Sequence, residues 1–78
     1  MFHKIVKLQI IQPYSLLAEY ENGISKLYDV EPLFDRFQHF QQLKNGLFQN
    51  AAIDMGGYGV VWSDEIDLDA QEIYNNGK

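Results

Sequence analysis

Four acids crowd one short stretch of this chain, Asp64, Glu65, Asp67 and Asp69, and carboxylates at that density are the raw material of a calcium loop or of paired acid and base catalysis. A calcium loop also needs a central glycine and a bidentate glutamate at its end, and both are missing here. Acid and base work needs one carboxyl raised by an apolar cleft, whereas these acids read as a solvated turn and a helix cap. His3 and His39 are the only histidines and lack paired-ligand spacing, so a zinc site would require distant carboxylates to converge on them. Ser15, Ser25 and Ser63 sit in no glycine-bracketed elbow, and the absence of cysteine removes thiol chemistry. Gly56-Gly57-Tyr58-Gly59 lacks the lysine and following helix of a phosphate loop and reads as a hairpin turn. No catalytic, metal or cofactor site is expected. The rival reading, a small enzyme or ligand-binding domain, would have to use the acids from Asp64 to Asp69.

The elements that would position such residues must come from 78 residues, enough for one domain spanning 1–78. A chain this short buries only about 60% of the surface its unfolded form exposes, which places function on the surface. Five Phe, five Tyr and one Trp can fill a core without disulfides or zinc. A net charge of −5, with six scattered Lys and Arg, argues against nucleic acid as a direct partner, because phosphate is held by clustered cations. Lys7 and Gln9 interrupt the apolar run a signal peptide would need, and no stretch reaches transmembrane length, so a soluble cytoplasmic protein without a membrane partner is expected.

Alternation of Val6, Leu8 and Ile10 with Lys7 and Gln9 predicts a strand closed by Pro13. A hairpin from Ser15 to Val30 follows around Asn22-Gly23, the dipeptide suited to a two-residue type I′ turn. That turn would set Glu19 opposite Lys26 and Leu17 opposite Tyr28, with Leu16, Ala18, Tyr20, Ser25 and Leu27 on the core face. Pro32 opens a helix with Leu33, Phe34, Phe37 and Phe40 at helical spacing, ended by Asn45-Gly46. Phe48 to Met55 and Val60 to Ser63 read as a second hairpin, and Asp69 with Glu72 caps a short last helix, with Asn75 to Lys78 a frayed end. The expected fold class is α+β: an antiparallel sheet of about five strands, two hairpins plus an N-terminal strand, with two short helices.

This register leaves Leu17, Ile24 and Tyr28 on the second face of the hairpin, beside Ile5 and Ile11. Two readings of that face stand side by side: helices cover both sides of the sheet, or the face is an interface for a partner or a second copy. Leu17, Ile24 and Tyr28 are the candidate partner-binding residues.

The order of these features resembles the small bacterial proteins of Domain of Unknown Function family 2442. The similarity rests on the strand ending near Pro13, on Leu16, Ala18, Tyr20, Gly23 and Asp29, on Pro32-Leu33, Phe40, Leu43 and Phe48, and on Trp62, Asp67-Leu68 and Tyr74. One departure is Ser63-Asp64-Glu65-Ile66, where the family commonly has a glycine. The resemblance implies an α+β fold of antiparallel strands and two short helices and brings no established activity. Some members look like one half of two-gene modules similar to toxin and antitoxin pairs; others carry an added helix-turn-helix domain that these 78 residues lack. The expected function is a non-enzymatic interaction module, antitoxin-like, for a second small protein such as a basic toxin-like protein, or for its own copy.

Overall fold

Apolar and polar side chains alternate along the first thirty residues, and the computed structural model, which describes residues 3–78, forms three strands there. The first two residues of the N-terminal stretch lie outside the described residues. Strands β1 (Ile5–Ile11), β2 (Ser15–Tyr20) and β3 (Ser25–Asp29) make an antiparallel sheet in that order. Leu16, Ala18, Tyr20 and Tyr28 are buried on its inner face, and Leu8 and Ile10 pack against the same cluster.

The hairpin connection is one residue longer than a type I′ turn. Tyr20 N–H donates to the Ile24 carbonyl oxygen at 2.8 Å and Gly23 N–H to that of Tyr20 at 2.9 Å. Gly23 has φ +87°, and among the described residues none other than glycine takes a positive φ. Asn22 therefore does not adopt the left-handed conformation that a type I′ turn demands at both central positions, and a three-residue loop ending in a left-handed glycine forms instead. The extra residue slips the register by one and turns every β3 side chain to the other face. Leu17 pairs with Leu27, Ala18 with Lys26 and Glu19 with Ser25, so Glu19 and Lys26 are not opposed. Tyr28 enters the core at 6% exposure, while Leu27 stands outside at 45%.

The aromatic helix is broken. Helix α1 (Leu33–Arg36) lasts one turn, Phe37 is extended (φ −133°, ψ 110°), and 3₁₀ turns run over Gln38–Asn45 and Leu47–Asn50 around Gly46 at φ +93°. Within Gln38–Asn45 the buried residues Phe40 and Leu43 are three apart, the period of a 3₁₀ helix, so this spacing puts both on one face of the tighter turns. Phe34, Phe40, Leu43 and Phe48 are buried. Phe48 lies in these turns, not in a strand.

A second antiparallel sheet, in the order β4-β5-β6, is built from β4 (Ala52–Ile53), β5 (Gly59–Ser63) and β6 (Ile66–Asp69). The expected single five-stranded sheet is therefore two sheets of three strands each. The strand unforeseen is β6. Its Ile66 and Leu68 are buried and its Asp67 and Asp69 exposed, an alternation the acid-rich stretch disguised as a turn. Asp69 then caps helix α2 (Ala70–Asn76), its Oδ1 accepting from Gln71 N–H at 2.9 Å. The chain end is held, since Lys78 N–H donates to the Leu27 carbonyl oxygen at 2.8 Å. Both sheets share one core, in which Leu16, Val30, Leu43, Val60, Ile66 and Ile73 are fully buried.

Candidate interaction surface

The outer face of the first sheet carries the side chains that alternate with the core set. Across its middle, Gln9 pairs with Leu17 and Leu17 with Leu27, while Ile11 pairs with Ser15 one row away. Leu17 and Ile11 are half-buried, and neither they nor Leu27 belongs to the core cluster or packs against it. The described helices thus sit on the core side, and the outer face is left with an apolar centre, Ile11, Leu17 and Leu27, framed by Lys7, Gln9, Glu19 and Asp29.

Of the three residues marked from sequence, the structure places only Leu17 on this face. Ile24 is 42% exposed at the hairpin tip, and Tyr28 is buried on the opposite side, where its hydroxyl donates to Glu72 Oε2 at 3.0 Å. Burial, and then the hydrogen bond to Glu72, push the Tyr28 hydroxyl up to about 12. Sequence reasoning missed Leu27. The signal was present in β3 itself: Ser25 and Asp29 share the parity of Leu27, and Val30 shares that of Tyr28, which marks the first set as outward.

A groove of about 1010 Å³ opens beside this face, between the edge strands β3 and β6, with α1 and the first 3₁₀ turns closing one end. Buried Tyr28, Leu33, Phe40 and Leu68 line it, and Phe37, 44% exposed, stands at its rim. Four carboxylates, Asp29, Asp67, Asp69 and Glu72, and two cations, Arg36 and Lys78, also line it.

The acids of the Asp64 to Asp69 stretch are dispersed. Asp64 and Glu65 are exposed between β5 and β6, Asp67 projects from β6, and Asp69 caps α2. His3 stacks on Tyr74, ring centroids 3.8 Å apart, and His39 lies against Phe40. Among the described residues no three His, Cys, Asp or Glu side chains converge in a way that could hold a metal ion. No helix among them is long and apolar enough to cross a membrane.

Two antiparallel sheets with short helices around one core define a small α+β protein. The chain belongs to the family described as Protein of unknown function (DUF2442), whose sequence profile matches residues 5–78. No curated protein and no solved structure matches the chain significantly.

Proposed function

We propose that this protein is a non-enzymatic interaction module, the antitoxin-like half of a two-gene toxin and antitoxin pair, which binds a small basic protein through the outer face of its first sheet. One observation carries the reading: Leu17 stands directly opposite Leu27, with Ile11 diagonal to them, on a face outside the core cluster. A sheet face with an apolar centre and a polar frame has the composition of an interface core and rim. The net charge of −5 selects the occupant, since complementary charge speeds encounter with a basic partner and disfavours a second acidic copy.

The test is co-expression with the product of the adjoining gene. That product is expected to arrest growth alone, this chain to relieve the arrest, and the Leu17→Glu, Leu27→Glu double variant to fail to relieve it while accumulating to the same level. A harmless neighbour, or full relief by the double variant, would overturn the reading.

A further inference from the structure

Asparagine followed by glycine occurs three times, at Asn22-Gly23, Asn45-Gly46 and Asn76-Gly77. The pair carries latent chemistry, because glycine has no Cβ to crowd its own amide nitrogen. Once that nitrogen loses its proton, it can attack Cγ of the asparagine before it. The new N–Cγ bond closes a five-membered succinimide, the Cγ–Nδ2 bond breaks, and ammonia leaves with the proton. Water then opens the ring at either carbonyl. One opening gives aspartate, and the other gives isoaspartate, with the main chain routed through the former side-chain carbon. Water is the only co-reactant.

The attack needs a glycine N–H free to lose its proton and an asparagine side chain free to swing toward it. The fold engages these groups at two of the three pairs. In the hairpin, Gly23 N–H donates to the Tyr20 carbonyl oxygen at 2.9 Å, Asn22 Oδ1 accepts from Ile24 N–H at 3.0 Å, and Asn22 Nδ2 donates to the Tyr74 hydroxyl at 3.3 Å. After α2, Gly77 N–H donates to the Ile73 carbonyl oxygen at 2.8 Å and Asn76 Nδ2 to that of Glu72 at 3.4 Å. Gly77 is also pressed against β3, where an added Cβ would lie 3.0 Å from Lys26 Cβ.

Asn45-Gly46 is held by none of this. Both residues are exposed, at the junction of the two 3₁₀ segments. Among the described residues the Asn45 side chain makes no hydrogen bond, and Gly46 N–H, unlike that of Gly23 or Gly77, has no carbonyl partner. A Cβ on Gly46 would meet nothing within 4 Å, so the space around the junction is open. Asn45 ends a 3₁₀ run, whose hydrogen-bond geometry is poorer than that of an α-helix, so the rotation that brings Gly46 N onto Cγ meets little resistance.

We propose that Asn45 is a site of self-modification, which deamidates through a succinimide with Gly46 ahead of Asn22 and Asn76 and yields chiefly isoaspartate. The product adds a negative charge to a net charge of −5 and lengthens the main chain by one methylene between buried Leu43 and buried Phe48. It also creates the α-carboxyl that an isoaspartyl carboxyl methyltransferase esterifies with the methyl group of S-adenosylmethionine. The site lies on the 3₁₀ segments and does not depend on the reading of the sheet face.

The experiment ages the full chain in mildly alkaline buffer, which favours loss of the glycine amide proton, and ages a second portion in guanidinium chloride. Both are digested and mapped by mass spectrometry, with fragmentation that separates isoaspartate from aspartate. In the folded chain the acid is expected at Asn45 first, several-fold faster than at Asn22 or Asn76, whereas in denaturant the three rates converge. Asn45→Gln should remove this first product and, with it, most methyl-ester formation by an isoaspartyl methyltransferase. Asn22 or Asn76 reacting first in the folded chain, an Asn45 no faster than either, or the same spread of rates in denaturant would each overturn the proposal.

Discussion

The hydroxyl of Tyr20 donates to the Ala70 carbonyl oxygen at 2.7 Å, fastening the middle of the first sheet to the first turn of α2. This buried bond joins residues fifty positions apart. Tyr20→Phe removes the donor with little change of shape, and thermal or urea unfolding should show a loss of about 1 to 2 kcal/mol. Burial first, and then Tyr74 and Asp69, raise the Tyr20 hydroxyl well above its ordinary range.

Tyr28 gives a pH signature. Its folded form titrates near 12 against 10 for the free side chain, so the protonated hydroxyl is favoured in the fold. The stability it contributes is complete below pH 10 and is lost as pH rises from about 10 toward about 12. Tyr28→Phe should flatten the alkaline fall in melting temperature without abolishing it, because Tyr20 remains. An unchanged alkaline profile would show the Tyr28 hydroxyl to be solvated.

The hairpin loop separates its two central residues. Gly23→Ala meets no atom within 4 Å but places a Cβ at φ +87°, so it should cost about 1 to 2 kcal/mol through backbone strain alone. Asn22 has a negative φ, and Asn22→Gly should destabilise by about 0.5 to 1 kcal/mol by loosening the unfolded chain. Urea titrations of the two variants check this; a neutral or stabilising Asn22→Gly would favour the type I′ turn.

Trp62 is 6% exposed, and its Nε1–H donates to the Phe48 carbonyl oxygen at 3.2 Å. Trp62→Phe keeps much of the ring contact and removes one of two bonds to that carbonyl, which retains the Ala51 N–H at 3.3 Å, for a loss of about 0.5 to 1.5 kcal/mol. Trp62→Ala should lose about 3 to 5 kcal/mol. Wild-type emission should be blue-shifted relative to free indole, and a Trp62→Phe variant as stable as wild type would deny the hydrogen bond.

Where local pattern decides, the sequence was readable. Alternation marked β1 and β2, Trp62 lay in a buried strand, and Asp69 capped α2. Long-range or single-residue geometry was harder. Asn22-Gly23 located the turn, but loop length depends on whether Asn22 takes a positive φ, and that one residue decided which of Leu27 and Tyr28 reached the surface. The spacing of Phe34, Phe37 and Phe40 fits either helical period over so few turns, and packing of Phe40 and Leu43 into the core accompanies the tighter one. For β6, exposed Asp67 and Asp69 looked like loop residues because their pairing partners Val61 and Gly59 precede a turn that sequence alone did not close. The outer face follows from these registers, so Leu17 was found and Leu27 was missed.

The claim that the outer face of the first sheet is the contact surface is tested most directly by the dissociation constant of the purified complex with the adjoining gene's product. It is measured for wild type and for the Leu17→Glu, Leu27→Glu variant, with far-UV circular dichroism on the same samples. Two glutamates buried without partners in an interface are costly, so the account predicts an unchanged dichroism spectrum and affinity lowered by about a hundredfold or more. An unchanged dissociation constant, or a variant that no longer folds, would contradict it.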